Sequence, residues 1–496
     1  MKLNFLFTDS MVLQRNKEIR IFGECETGAE VVGTFRGITA KAVGKDGKFI
    51  LSFPSFDAGK GYELTVSCGS EKIVLKDIAV GEVWICGGQS NMEMPLKTSK
   101  NGGFELQFLE GDDLRYIITP RQHVKNTPCW GWHFIPVNSV HTPWRIAGGN
   151  VGGDLSATAF YFAKRIIEKE KVPVGIIECD WGGTSVYSWC SKKDLLEDKE
   201  TSPFVKEHFF MLDNMTEEEY KAGQEEYLRD LREDGPSYPI GQGYNFKPFK
   251  VNPESYQRYG GLYETMFETI CPVSVRGVIW YQGESDCGGN ETSKERYLAG
   301  FRLLRRTWRR ELMEEELPFI TTVLAAHGSF DDESDSWCSV RDAQIELAKE
   351  DKNTYCINCM DNGEAYNIHP FEKRMLGERM AGCALSEVYG KNILWQSPLF
   401  EKAYIKDNRV YIEFKNSYDG LMGDNVPVSG FEFKCKDEWK DIICMANENM
   451  VWTKEECKDA TAVRFCQKNF TKVHLYNSLG IPALPFMEKE IQKENK

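Results

Sequence analysis

The chain has 496 residues, of which 41% are hydrophobic and 27% charged, and its formal net charge is −14. The length predicts two or three domains, because single cores rarely grow to this size. An acidic chain lacks the basic face that nucleic acids and anionic membranes require, so neither is an expected partner. The N-terminal apolar stretch is too short for a secretory signal, and no apolar run is long enough for a membrane span.

The 16 cysteines are scattered along the chain, and many fall inside predicted strands. A disulfide framework is typical of small secreted proteins, and this chain is neither small nor visibly secreted. Its scattered cysteines therefore indicate reduced, buried thiols. Together with the missing secretory signal, it predicts a cytoplasmic protein.

Residues 1–80 have strand patterns and no helical period. Residues 62–66 alternate between apolar and polar side chains, and Asp46-Gly47 is a hairpin signal. We predict a small antiparallel N-terminal β domain over this range.

From Gly81 onward, apolar strands alternate with helical stretches, which predicts right-handed crossovers and a parallel sheet. This α/β region covers residues 81–395, with insertions near 100–145 and 195–258. The first insertion has no clear period, and the second begins with an acidic segment of helical character over residues 216–233. Strand character returns in residues 396–496, a predicted C-terminal β domain. The predicted strands of the α/β region are 83–86, 174–177, 278–281, 319–324 and 355–360, and its predicted helices are 156–169, 297–310, 341–349 and 371–389.

The strongest local signal is the Gly-Gly-Gln-Ser-Asn-Met stretch over residues 87–92, directly after the first of these strands. Small residues allow a sharp turn at the strand end, and such a turn presents the hydroxyl of Ser90 above the sheet edge. The N–H groups of a helix starting there would stabilise an oxyanion. The same pattern also fits an N-cap serine without a catalytic role.

Two further polar clusters follow the second and third strands. Gly182 or Gly183, in a Trp-Gly-Gly-Thr stretch, would aim a backbone N–H into a site, and the competing interpretation, which the stretch alone favours, is a tight strand-to-loop turn. Gln282, in a Gln-Gly-Glu-Ser-Asp stretch, offers a side-chain amide, and the competing interpretation is a cluster that caps the next helix.

His369 follows the fifth strand, in an Ile-His-Pro stretch, and is one of only seven histidines. A histidine that serves as general base must reach the serine hydroxyl, and a parallel sheet brings both loops to one edge. Alone, His369 would be read as a surface residue. Four polar clusters on one edge, however, supply a hydroxyl, a backbone donor, an amide and an imidazole, the parts of an acyl-transfer site.

These blocks resemble those of the SGNH hydrolase superfamily, and more narrowly its sialate O-acetylesterase-like carbohydrate esterases. The resemblance extends to the N-terminal stretch 9–15 and to stretches 462–465 and 479–483 near the end. It implies an SGNH (flavodoxin-like) three-layer α/β domain with a parallel sheet, flanked by N- and C-terminal β-sandwich-like domains.

The resemblance also implies roles for individual residues. Ser90 matches the nucleophile and His369 its general base. Gly183 (or Gly182) matches the backbone donor of the oxyanion hole, to which the N–H of Ser90 also contributes. Gln282 falls where the wider superfamily has an asparagine amide. No metal or organic cofactor is implied.

The sequence departs from many relatives in the residues before His369, where an Asp would orient the imidazole. Asn367 and Tyr366 occupy those positions, and Asp361 and Glu364 are the nearest acids. Glu364, a backbone carbonyl, or a Ser-His dyad without an orienting group are the three alternatives, and we favour Glu364.

The function implied is hydrolysis of acetyl esters on an acetylated mono- or oligosaccharide. Trp181, Trp280 and Tyr281 are candidate stacking residues for a sugar ring, and hydrophobic core is their competing interpretation. The alternatives are a deacetylase of plant xylo- or manno-oligosaccharides and a non-catalytic sugar-binding relative.

Overall fold

The computed structural model describes residues 1–124, 127–128, 142–216, 218–219, 222, 255–287, 292–328, 336–422 and 427–493. The acidic segment 216–233 that the sequence marks as helical lies mostly outside these ranges. Among the helices that the structure describes, none combines the length and hydropathy needed to cross a bilayer.

The first eight strands confirm the β character predicted for the N-terminal region. β1, β3 and β6 form one antiparallel sheet, whereas β2, β4, β5 and β7 join the sheet that contains β8. Alternating burial along β6 and the fully buried Leu64 and Val66 of β7 show that one side of these strands faces a core. The strands are β1 Lys2–Leu3, β2 Val12–Gln14, β3 Ile19–Glu24, β4 Glu30–Phe35, β5 Ile38–Val43, β6 Lys48–Phe53, β7 Gly59–Cys68 and β8 Glu71–Gly88.

A parallel sheet forms the centre of the molecule, as predicted. Its strand order is β9-β13-β8-β14-β15-β16, and β12 adds an antiparallel edge strand beside β9. All residues of β13, β14 and β15 are buried, which explains the apolar runs by which the sequence marks these strands. Glu178 and Asp180, at the end of β13, are buried as well. The strands are β9 Leu114–Ile118, β10 Gln122–Val124, β11 Thr127–Pro128, β12 Arg145–Ile146, β13 Val174–Asp180, β14 Gly277–Tyr281, β15 Phe319–Val323 and β16 Thr354–Asn358.

The helices that connect these strands match the predicted ones within a few residues. α3 packs against α9, and α7 packs against α8. α9 continues as a wider turn over Ala384–Val388, which explains why the sequence pattern extends beyond its end. The helices are α1 Ser90–Glu93, α2 Gly102–Gln107, α3 Ala157–Glu170, α4 Lys192–Glu197, α5 Ser202–Asp213, α6 Glu268–Ile270, α7 Ser293–Glu311, α8 Ser336–Glu350 and α9 Arg374–Cys383.

One strand belongs to both the N-terminal and the central sheet. β8 pairs with β7 in its first part and with β13 and β14 in its second, so it runs unbroken through the predicted boundary at residue 80. Glu82 is fully buried at this junction and forms ion pairs with Arg15 and Arg276. The two partners satisfy a carboxylate that would otherwise be costly to bury.

β9 was not predicted, and it lies inside the predicted insertion near residues 100–145. Its five residues pair in parallel with β13, so this part of the insertion belongs to the central sheet. Arg115 hides the strand pattern, because a charged residue is unexpected in a buried strand. Its guanidinium is fully buried yet lies 3.2 Å from a carboxylate oxygen of Asp77.

The last strands confirm the predicted β character of the C-terminal region. β17 and β18 lie in a five-stranded sheet, and β20 and β24 in a four-stranded one. Arg341 of α8 donates hydrogen bonds to the carbonyls of Lys468 and Asn469, which fixes this region to the central one. The strands are β17 Leu399–Lys406, β18 Arg409–Lys415, β19 Leu421–Met422, β20 Phe431–Cys435, β21 Glu438–Asp441, β22 Cys444–Asn447, β23 Met450–Thr453, β24 Ala460–Phe465, β25 Tyr476–Asn477, β26 Phe486–Glu490 and β27 Gln492–Lys493.

Candidate active site

Ser90 is the first residue of α1, immediately beyond the carboxyl end of β8. The turn that precedes it requires glycine, because Gly88 has a φ of +133° and an added Cβ would lie 2.1 Å from the carbonyl oxygen of Tyr281. Gln89 occupies the N-cap position, so Ser90 is not the cap residue that the sequence allowed as an alternative.

His369 meets Ser90 at this edge of the sheet. The Nε2 atom of His369 lies 2.8 Å from the Oγ atom of Ser90, a hydrogen-bonding distance. Both residues are partly exposed, so a small ester has access to the pair from solvent. At this distance the imidazole can accept the proton of the hydroxyl, which is what a general base does for a serine nucleophile.

Gln89, the residue before Ser90, holds the loop after β14. Its backbone N–H donates to the carbonyl of Tyr281 at 2.9 Å. Its side-chain oxygen accepts hydrogen bonds from the amide of Gln282 at 3.2 Å and from the N–H of Ser285 at 3.2 Å.

Asn91, the residue after Ser90, holds the loop that carries His369. Its Nδ2 atom donates to the carbonyl of Ile368 at 2.9 Å and to the carboxylate of Glu284 at 2.6 Å. Its Oδ1 atom accepts from the buried ammonium of Lys373 at 2.7 Å. The amide thus ties the base loop to the nucleophile turn.

Glu93, three residues after Ser90, holds the glycine turn after β13. Its Oε2 atom accepts the N–H of Gly182 at 2.6 Å. Gln89, Asn91 and Glu93 therefore together hold the loops after β13, β14 and β16 around Ser90.

Two backbone donors are available for an oxyanion. The first N–H groups of a helix have no intrahelical acceptor, and no described residue accepts from the N–H of Ser90 or of Gly183. Gly183 has a φ of +71°, the left-handed region that favours glycine. The N–H of Gly182 is bound to Glu93, so Gly183 is the glycine of the two whose N–H has no acceptor among the described residues.

Comparison with known proteins supports the predicted resemblance. Residues 250–386 match the family described as carbohydrate esterase, sialic acid-specific acetylesterase. The sialate O-acetylesterases of Pongo abelii and Homo sapiens are each 24% identical to this chain over 447 residues, covering 83% of it and 75% of their own length. The chain resembles the sialate O-acetylesterases.

The fold agrees with this resemblance. A crystal structure of a carbohydrate acetylesterase from Xanthomonas citri superposes with a TM-score of 0.78 at 23% sequence identity. The match covers 98% of this chain and 99% of the other. The mixed α/β fold of this chain is therefore that of a carbohydrate acetylesterase.

The structure does not place Gln282 as the oxyanion donor that the resemblance to sialate O-acetylesterases implied. Its Nε2 atom has three protein acceptors, namely Gln89 Oε1 at 3.2 Å, the carbonyl of Thr184 at 3.0 Å and Asp286 Oδ2 at 2.5 Å. Three acceptors exceed its two N–H bonds, and the side chain is 1% exposed. Gln282 thus joins the loops of the site through buried hydrogen bonds.

The three aromatic residues predicted to stack on the sugar are core residues. Trp181, Trp280 and Tyr281 are at most 1% exposed. Trp280 packs edge-on against the ring of Trp308, and Trp181 stacks on Tyr256. Aromatic side chains bury a large apolar area, and here that area packs in the core instead of being exposed to a substrate.

Glu364 is exposed, and the hydrogen bonds of the described residues include none between its carboxylate and the imidazole of His369. Its carboxylate accepts the Nδ2 of Asn367 at 3.1 Å, and Asn367 Oδ1 accepts the backbone N–H of His369 at 3.0 Å. Glu364 thus reaches the base through Asn367. Its role in orienting the imidazole stays a prediction.

Two buried charged residues that contact Asn91 were not predicted as part of the site. Glu284 and Lys373 flank Asn91, and burial raises the pKa of the Glu284 carboxyl and lowers that of the Lys373 ammonium to about 8. Glu284 lies inside the Gln282 block and Lys373 lies four residues after His369, and these positions were the available signal. Single residues of this kind give no periodic pattern.

A second charged group lies behind the glycine turn. Arg121 Nη2 lies 3.2 Å from Glu93, 3.0 Å from Asp180 and 3.7 Å from Glu178. Burial raises the pKa of Asp180 and that of Glu178, the latter to about 7, against the opposing effect of Arg121. The guanidinium of Arg121 is thus shared by three carboxyl groups.

Proposed function

We propose that this protein is a carbohydrate O-acetylesterase of the sialate O-acetylesterase type, with Ser90 as nucleophile and His369 as general base. The observation that carries the proposal is the 2.8 Å separation of Ser90 Oγ and His369 Nε2. The resemblance to the sialate O-acetylesterases supplies the reaction class and an acetylated mono- or oligosaccharide as the substrate.

The reaction takes place in two steps. His369 removes the proton of the Ser90 hydroxyl as its oxygen attacks the acetyl carbonyl, and the same proton passes to the departing sugar oxygen. Water then attacks the acetyl-enzyme, again with His369 as base, and releases acetate. The N–H groups of Ser90 and Gly183 stabilise the oxyanion in both steps.

The proposed scaffold is an SGNH three-layer domain between two β-sandwich-like domains, with boundaries near residues 80 and 396. The parallel sheet and the helix pairs α3–α9 and α7–α8 support this arrangement. A cytoplasmic location, inferred from the sequence, completes the proposal.

Acetate release from a panel of defined acetylated sugars tests this function. The panel contains O-acetylated sialic acids and acetylated xylo- and manno-oligosaccharides, assayed with wild type and Ser90→Ala. We expect wild type to release acetate fastest from a sialic acid ester and Ser90→Ala to release none. Turnover by Ser90→Ala would overturn the mechanism, and preference for a plant oligosaccharide would reassign the substrate.

A further inference from the structure

Glu93 connects the nucleophile helix to the glycine turn on the opposite side of the site. It lies on α1, three residues after Ser90, so both side chains leave the same short helix. Its carboxylate accepts the N–H of Gly182 at 2.6 Å, one residue before the proposed donor Gly183. The mechanism described above gives Glu93 no role.

The glycine turn is held on both sides of Gly183. Glu93 binds the N–H of Gly182 before it, and Gln257 Nε2 donates to the carbonyl of Gly183 at 2.7 Å after it. The hydroxyl of Thr184 closes the turn on the carbonyl of Trp181 at 2.8 Å. Of these contacts, only that of Glu93 starts on the helix that carries Ser90.

The carboxylate of Glu93 is itself fixed by a cation. Its Oε1 atom lies 3.2 Å from Arg121, which also holds Asp180 at the end of β13. The two side chains of the Glu93–Arg121 pair are 14% and 15% exposed. A carboxylate accepts from the backbone donor and the guanidinium together, whereas an amide has one acceptor oxygen for the two donors.

We propose that Glu93 is a positioning residue that sets the distance between the Gly183 N–H and the oxygen developing on the acetyl group attached at Ser90. The inference rests on the proposed function, since it assumes an oxyanion at this place. Oxyanion donors act in the transition state, so their displacement lowers kcat and leaves substrate binding in the ground state unchanged.

The test compares the steady-state kinetics of Glu93→Ala and Glu93→Gln with those of wild type on an activated acetate ester. We expect Glu93→Ala to lower kcat by about 10²-fold, the order of loss caused by small misplacements in active sites, with KM little changed. Glu93→Gln should retain an intermediate kcat, because its single amide oxygen serves two donors. Affinity for trifluoroacetone, which forms a tetrahedral adduct with a serine, should fall in parallel with kcat.

Glu170→Gln is the matched control. Glu170 is also a nearly buried glutamate between two cations, Arg15 and Lys391, but it lies at the end of α3, away from the glycine turn. We expect its variant to have wild-type kcat, whatever its change in thermal unfolding temperature. This control separates the loss of a buried ion pair from the loss of a position.

Wild-type kcat and trifluoroacetone affinity in Glu93→Ala would overturn the inference. If that variant does not fold, the same two values in Glu93→Gln decide in its place. Failure of the proposed function gives a different result, because Ser90→Ala would then hydrolyse the ester as well.

Discussion

His369 Nε2 lies 2.8 Å from Ser90 Oγ, although 279 positions separate the two residues in the chain. The parallel sheet brings them together, since β8 and β16 release their loops at the same edge. Asn91 strengthens this link by binding the carbonyl of Ile368. The position of His369 relative to Ser90 therefore depends in part on Asn91, the residue that follows Ser90.

Substitution of Gln282 by alanine should reduce stability. The change leaves the carbonyl of Thr184 without its buried donor and removes one of the three donors of the Asp286 carboxyl, which keeps Ser185 and Val186. We expect this loss to lower the free energy of unfolding by about 1–3 kcal/mol. Chemical denaturation measures this directly. Unchanged stability with a kcat lower by about 10²- to 10³-fold would instead restore Gln282 as an oxyanion donor.

Asn367→Ala should impair catalysis more than Glu364→Gln. Asn367 accepts the backbone N–H of His369 directly, and a glutamine at position 364 still offers an oxygen to Asn367. We expect about a tenfold loss of kcat for Asn367→Ala and a smaller one for Glu364→Gln. A larger loss in Glu364→Gln, measured on the same ester, would show that its charge orients the imidazole.

The sequence predicts the central strands and the turn at Ser90 because each leaves a local signal, whereas His369 is predicted only from its coincidence with the other polar clusters. Continuous apolar runs identify β13, β14 and β15, and small residues before Ser90 identify the sharp turn. Contacts of Gln282 are not predictable in this way, because its three acceptors come from three separate stretches of the chain. The burial of Trp280 likewise depends on which helices cover the sheet.

Glu178 should make stability depend on pH. Burial raises its pKa from 4.5 to about 7, so between these values the folded protein keeps a proton that the unfolded chain has lost. Its contribution to stability therefore falls as pH rises from about 4.5 to about 7 and is constant above. Glu178→Gln should flatten this fall, by about 1–3 kcal/mol over the interval.

Denaturation curves at a series of pH values check the prediction for Glu178. Glu170→Gln serves as the control, because cationic partners lower the pKa of Glu170 and its stabilising contribution is lost as pH falls. An unchanged pH profile in Glu178→Gln would show that the carboxyl is ionised throughout the interval.

The proposed mechanism requires an acetyl group on Ser90 during turnover, and rapid-quench peptide mapping by mass spectrometry detects it. Wild type is mixed with an activated acetate ester, quenched in acid during the first turnover, digested and analysed. We expect one acetyl group on the peptide that contains Ser90, and none on the corresponding peptide of Ser90→Ala. An unmodified Ser90 peptide during turnover, or an acetyl group on another residue that persists in Ser90→Ala, would contradict the role of Ser90 as nucleophile.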